Sequence, residues 1–289
     1  MAKEAWQDKD DDSAPRTTVQ FGLPRLTPAV KWLMILNVGI FLASFLLYFF
    51  SRVAESPEIE ASVFQHLRLV PNDWAEYFAG LPLWQLFTYG FLHADIGHIV
   101  GNMLMLFFFG TMLESLVGTR RFLLTYFASM VIGALVYLAP ALAVGGVFSA
   151  SVLGASGACF GIMIAMSVLR PMTRVIVFFF PLTLRTLTWI LIAYNVFGLL
   201  TTIAERASGG TAYLVHLGGA LYGFLAVRTG LIRLDPVEFM ERRRAVKAVE
   251  RSASDEARMD QLLEKIHREG MNSLTRGEKD FLKRMSARR

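Results

Sequence analysis

Cysteine is nearly absent from this chain: Cys159 stands alone, which excludes an internal disulfide framework. It lies among small residues in an apolar run, a setting for packing and not for thiol chemistry. Charge is also scarce. Only 18% of residues are Asp, Glu, Lys or Arg, against about 25% in an ordinary soluble domain, while 54% are hydrophobic. A water-facing globule cannot house that excess. The N-terminal stretch "MAKEAWQDKDDDSAPRTT" lacks the basic and apolar regions of a cleavable signal peptide. The first apolar run is therefore expected to remain in the mature protein. The paired histidines of an HExxH zinc site are missing as well.

What the chain does contain is long apolar runs. A membrane-spanning helix needs about 20 mostly apolar residues. Six segments reach or approach that length: Trp32–Phe50, His93–Val117, Phe122–Val144, Ser156–Leu169, Thr186–Ile203 and Thr211–Val227. The fourth is short, as if it began below the membrane surface. The net charge of +5 is concentrated on alternate connections. Arg120 and Arg121 follow the second run. Arg170, Arg174 and Arg185 follow the fourth, and Arg228, Arg233 and "ERRRAVK" follow the sixth. The segment Ser51–Trp84 leans acidic, and the loop after the third run carries no charge. This is the positive-inside pattern. It puts both termini in the cytoplasm and Ser51–Trp84 outside, and it accounts for the basic balance without nucleic acid.

The expected organisation is an all-α polytopic membrane protein in three parts. Residues 1–27 form a charged, disordered cytoplasmic leader. Residues 28–233 form a six-helix membrane domain. Residues 234–289 form a cytoplasmic helical tail, in which Met259, Leu262, Leu263 and Ile266 share a face, Gly270 stops the helix, and Thr275 with Glu278 is spaced as a capping box. A solvated amphipathic tail and a docking module are equally good accounts of it. "VIVFFFPLTLR", with Pro181 inside it, reads as a cytoplasmic-side connection at the membrane interface and not as a seventh span.

Polar side chains inside spanning helices are costly and mark function by default. Here they are His93, Asp95, His98 and Asn102 near the start of the second run, Glu114 near its end, Ser156 opening the fourth, and His216 in the sixth. Asn37 and Asn195 stand alone on the first and fifth. The second, fourth and sixth runs all travel from outside to inside. His98, Ser156 and His216 therefore fall at similar depth near the outer surface. Gly157, Gly161 and Ala165 share a helical face, as do His216, Gly219 and Gly223, and small residues at such spacing let membrane helices approach closely. Contact between the fourth and sixth helices would bring the Ser156 hydroxyl to the His216 ring, a minimal activated nucleophile. Free N–H groups at the start of the fourth helix, with His98 and Asn102, form a candidate oxyanion site. Asp95 is placed to cap the second helix, Glu114 to pair with Arg120 or Arg121, and His93 to support the site by orienting His98 or holding a loop carbonyl.

Taken together, H-x4-H-x3-N at His93, His98 and Asn102, "GASG" at Gly154–Gly157 and "HLGGALYG" at His216–Gly223 resemble the signatures of the rhomboid family of intramembrane serine proteases. Their order and the six-run count match, over about Leu33 to Ile232. The resemblance implies a Ser156–His216 dyad with no acidic third member and no cofactor or metal. It also implies oxyanion contacts from His98, Asn102 and the Ser156 amide, with Gly154 in support. Phe160 would stack on the imidazole. Glu114, Gly118 and Arg121–Phe122 resemble a structural motif of the family. Trp84-Gln85 departs from the Trp-Arg pair of many relatives, which puts anchoring of the outer loop in question. The C-terminal tail resembles a short helical domain appended to some bacterial rhomboids.

The expected function is thus cleavage of single-span transmembrane proteins within the lipid bilayer of a bacterial plasma membrane, through an acyl-enzyme. The short, glycine-bearing loop 204–210 and the fifth helix would form a lateral gate. Three rivals use the same residues. His93, His98 and His216, with Asp95, are alternative metal ligands of a transporter or metallopeptidase. A catalytically weak rhomboid-like protein would bind membrane clients without cutting. A purely structural membrane protein would leave the polar cluster unexplained. Substrate sequence and oligomeric state are not legible in the chain.

Overall fold

The computed structural model describes residues 24–76, 81–177, 180–206 and 213–286. The chain divides into two compact units, Met1–Ile232 and Arg233–Arg289. Most of the leader, residues 1–23, and part of the glycine-bearing loop, residues 207–210, lie outside the described residues.

In the first unit, α1 (Pro28–Val53) starts on Pro28, whose missing N–H costs nothing in a first helical turn. Of its 26 residues only Ala29, Val30, Leu33, Asn37 and Ser51 are buried, and Trp32, Phe45 and Phe50 point outward. That is the surface of a helix solvated by lipid. The segment read as an outer loop folds into three short helices, α2 (Pro57–Leu67), α3 (Pro71–Glu76) and α4 (Gln85–Thr88), followed by a 3₁₀ turn at Tyr89–Phe91. Gln85, buried to 1% exposure, holds this segment together. Its Oε1 accepts from the Val70 backbone N–H and from Trp74 Nε1, both at 3.1 Å, and its Nε2 donates to Asp73 Oδ2 at 2.9 Å. The loop is therefore anchored through the glutamine itself.

Asp95 caps α5 (Ile96–Met105), its Oδ1 accepting from the His98 N–H at 2.8 Å. A five-residue π turn, Leu106–Gly110, joins α5 to α6 (Thr111–Val117), and the Thr111 hydroxyl donates to the carbonyls of Phe107 and Phe108 there. Glu114 on α6 reaches α1. It accepts from Thr27 Oγ1 at 2.5 Å, from the N–H groups of Ala29 and Val30 at 3.1 Å, and from Thr119 Oγ1 at 2.6 Å. This one carboxylate caps the first turn of α1 and ties it to the turn before α7 (Thr119–Val144).

The centre of the unit is α8 (Ser156–Leu169), buried at every position from Gly157 to Ser167. It packs against α7 and against α10 (Tyr213–Arg228) through glycines. A methyl group on Gly219 would overlap the Gly157 carbonyl, and one on Gly223 the Gly161 carbonyl; one on Gly133 would lie 2.7 Å from the Val215 carbonyl oxygen. The glycine faces read from the sequence do meet, Gly157 with Gly219 and Gly161 with Gly223. Between α8 and α9 (Leu184–Ala204) the apolar Pro181 segment forms a two-stranded antiparallel hairpin, β1 (Arg174–Val177) and β2 (Phe180–Thr183), with Pro181 opposite Ile176. Its β-branched residues suit that conformation.

Among the described residues, four helices have the length and apolarity to cross a membrane: Pro28–Val53, Ile96–Val117, Thr119–Val144 and Leu184–Ala204. The helices α8, with 14 residues, and α10, with 16, are shorter than the usual span.

In the second unit Asp235 caps α11 (Pro236–Glu269), accepting from the N–H groups of Val237 and Glu238. Gly270, at φ 81°, ends it. After a 3₁₀ turn at Met271–Ser273 comes α12 (Arg276–Ser286). Thr275 and Glu278 form the expected capping box: the Thr275 N–H donates to Glu278 Oε2 at 2.7 Å, and the Glu278 N–H to Thr275 Oγ1 at 3.4 Å. Leu262, Leu274 and Phe281 bury one another, flanked by Met259 and Ile266. Leu263, read onto the same face, is exposed.

Candidate active site

Three helices begin at one place. His98 lies in the first turn of α5, Ser156 opens α8, and His216 lies in the first turn of α10. Ahead of Ser156 the chain turns sharply through Gly154, at φ 122°, a conformation that side-chain-bearing residues avoid. Its N–H donates to the Tyr89 carbonyl at 2.8 Å, and Leu69 and Val152 exchange two backbone hydrogen bonds at 2.9 Å. The serine loop is thereby pinned to the segment that Gln85 organises.

Ser156 Oγ and His216 Nε2 are 2.7 Å apart, a hydrogen bond between helices α8 and α10. The Phe160 ring, one turn further along α8, lies flat on the imidazole, with centroids 4.6 Å apart and planes 3° from parallel. His216 is thus fixed in position and in plane. Its other nitrogen, Nδ1, is 2.7 Å from Asn195 Oδ1 on α9. This third contact was not foreseen: Asn195 read as an isolated residue. The available signal was only that a lone amide in an apolar spanning helix seldom lacks a partner.

His98 and Asn102 line the opposite side of the serine loop. A methyl group on Gly154 would lie 2.6 Å from His98 Nε2 and 3.6 Å from Asn102 Nδ2, so both side chains face the ground kept open by that glycine. Among the described residues the buried Asn102 Nδ2 has no hydrogen-bond acceptor. His98 is oriented from behind, its Nδ1 accepting a long 3.5 Å contact from the Ala94 N–H and its ring lying edge-on to His93 at 5.1 Å. The first turn of α8 adds N–H groups without intrahelical partners and a partial positive charge. The arrangement offers a hydroxyl, a base and a set of hydrogen-bond donors around one point, as acyl transfer requires.

The histidines read alternatively as metal ligands are differently disposed. Both ring nitrogens of His216 are engaged, by Ser156 and Asn195. Among the described residues no group of three His, Cys, Asp or Glu is arranged to hold a metal ion. Cys159 is buried, its thiol against the Asn102 carbonyl at 3.5 Å.

Residues 81–233, more than half of the chain, match the family described as Rhomboid domain, and the chain belongs to the rhomboid family. Residues 249–288 match a family of unknown function, DUF6576. Relatives include Rhomboid protein 1, mitochondrial, of Saccharomyces cerevisiae, 35% identical over 142 residues, covering 47% of this chain and 38% of the relative. Rhomboid-like protease 3 of Toxoplasma gondii is 34% identical over 105 residues, 36% of each chain. Rhomboid protease GluP of Bacillus subtilis is 32% identical over 145 residues, 50% of this chain and 25% of the relative. The chain thus spans less than half the length of these relatives. Mitochondrial and bacterial proteins both occur among them. The comparisons therefore support a multi-pass membrane protein and do not carry the expectation of a bacterial plasma membrane.

Proposed function

We propose that this protein is an intramembrane serine endopeptidase that cleaves single-span membrane proteins through an acyl-enzyme. One observation carries the reading: the 2.7 Å bond between Ser156 Oγ and His216 Nε2, with the ring stacked on Phe160. In the first step Ser156 Oγ attacks the scissile carbonyl carbon as His216 Nε2 takes the hydroxyl proton. The oxyanion receives hydrogen bonds from Asn102 Nδ2, the His98 ring and the Ser156 N–H. Collapse breaks the C–N bond, and His216 returns the proton to the leaving amine. Water, activated by the same imidazole, then hydrolyses the ester and regenerates Ser156. A substrate helix hides its carbonyls in intrahelical bonds, so segments weakened by glycine are favoured substrates.

In this reading the spans are α1, α5–α6, α7, α8, α9 and α10. Residues 28–233 are the membrane domain, 1–27 a leader, and 234–289 a helical hairpin. Both termini lie on the arginine-rich side. The lipid-facing α9 admits substrate laterally. A bacterial plasma membrane is the setting proposed from the charge distribution alone.

The test is cleavage of a fluorescent single-span substrate in proteoliposomes. Ser156→Ala and His216→Ala are each expected to lower the rate by about a thousandfold or more, with folding retained. Client binding without cleavage by the unaltered protein would favour the non-catalytic alternative.

A further inference from the structure

We propose that Asn195 is a positioning residue for His216, fixing the ring form that accepts the Ser156 proton; this rests on the protease reading above. Asn195 Nδ2 is 2.7 Å from the Leu191 carbonyl, four residues earlier on α9. A carbonyl only accepts, so the NH2 group must face Leu191 and the oxygen must face the imidazole. Asn37 on α1 makes the same bond to the Leu33 carbonyl, also at 2.7 Å, so this clamp is the local habit of a buried amide here. The difference lies in what the freed oxygen meets. At Asn195 it is 2.7 Å from His216 Nδ1.

An amide oxygen accepts, so Nδ1 carries the proton. In the neutral ring Nε2 is then left with its lone pair, 2.7 Å from Ser156 Oγ. The chain of donors runs one way: Ser156 hydroxyl to Nε2, Nδ1–H to Asn195 Oδ1, Asn195 NH2 to the Leu191 carbonyl. The opposite tautomer would put a hydrogen toward Oγ and leave the hydroxyl without a base. The third member of this relay is uncharged, which suits its depth in the membrane, where a carboxylate costs far more to bury than an amide. Asn195 is one of few buried residues on α9, while Trp189, Tyr194 and Phe197 face outward, so its inward place has a specific cause.

The experiment compares the wild-type protein with Asn195→Leu, which keeps the approximate shape without an acceptor, and Asn195→Asp, which keeps an acceptor. Cleavage of the single-span substrate in one detergent gives kcat and KM. Nitrogen-15 NMR of the histidine-labelled protein, assigned with His216→Ala, reports which ring nitrogen is protonated. Thermal unfolding checks integrity. Asn195→Leu is expected to lower kcat about tenfold or more, the effect of one hydrogen bond, with KM within about twofold. Its His216 signals should move away from the pure Nδ1–H form, and Asn195→Asp should recover part of kcat. A wild-type kcat in Asn195→Leu, an unchanged tautomer signature, or equal losses in both variants would overturn the proposal. Ser156→Ala, run in parallel, separates the two levels. If it cleaves, the protease reading fails, while the nitrogen signature still tests Asn195 on its own.

Discussion

Buried polar side chains in this protein are positioned by what they can accept or donate, and Gln85 makes the point most directly. The family resemblance leads one to expect arginine there, yet Gln85 Oε1 is the acceptor for Val70 N–H and Trp74 Nε1. Arginine has five donors and no acceptor. Gln85→Arg is therefore expected to destabilise this chain by about 2–4 kcal/mol, as is Gln85→Leu, since each leaves two buried donors unpaired. Thermal unfolding in detergent checks it; an unchanged midpoint for Gln85→Arg would show that the loop repacks around the new charge. Glu114→Ala should cost a similar amount, about 2–4 kcal/mol, because the N–H groups of Ala29 and Val30 lose their cap. Much of the candidate site was legible at this scale. Ser156, His98, Asn102 and His216 stood out because lipid offers polar groups no partners. Asn195 escaped because its partner lies on another helix, and nothing in the spacing of α9 points to α10. The partners of Glu114 were hidden for the same reason: α1 begins more than eighty residues earlier.

Among the helices, the central contact is made by the absence of side chains. Gly219 rests on the Gly157 carbonyl and Gly223 on that of Gly161. Gly219→Ala must push α10 from α8, at about 1–3 kcal/mol of overpacking, and would lengthen the Ser156–His216 bond that depends on the approach. Cleavage should fall further than stability, measured by rate and melting midpoint on the same preparation. These faces were readable because small residues at helical spacing are a direct signal. The hairpin at Arg174–Thr183 was less so, since a short apolar β-branched run with a proline fits strand, loop or interface alike. In α12 the capping box also makes a titration forecast. Hydrogen bonds from Thr275 and the Lys265 ammonium hold the Glu278 carboxyl down to about 2, below its ordinary 4.5. The stabilisation is complete above pH 4.5 and disappears as pH falls toward 2. Hydrogen exchange in α12 should be faster in Glu278→Gln than in wild type at pH 6, with the difference vanishing near pH 2. Salt should shrink the gap, because the group is exposed.

For the molecule as a whole, the distribution of arginines predicts which end of α8 faces which side. Cys159 is fully buried, so single cysteines can be introduced against a silent background. Ser151→Cys, just ahead of the serine loop, should react with an impermeant thiol reagent from the arginine-poor side of sealed vesicles. Met172→Cys, exposed at the start of the hairpin, should react only from the other. Labelling of both from one face would overturn the topology. That the chain is multi-pass was legible in its apolar runs, but helix lengths were not. Run length measures apolar composition, and the short helices are set by what packs over their ends.

That shortness has a physical consequence. Fourteen residues of α-helix rise about 21 Å, against a hydrocarbon core of about 30 Å. Because α8 is enclosed by its neighbours from Gly157 to Ser167, its ends are met by protein and not by lipid, and the elastic cost of a thickness mismatch falls on the exposed helices around it. The short helix is thereby shielded from acyl-chain length, which acts on the protein only through exposed helices such as α1 and α9.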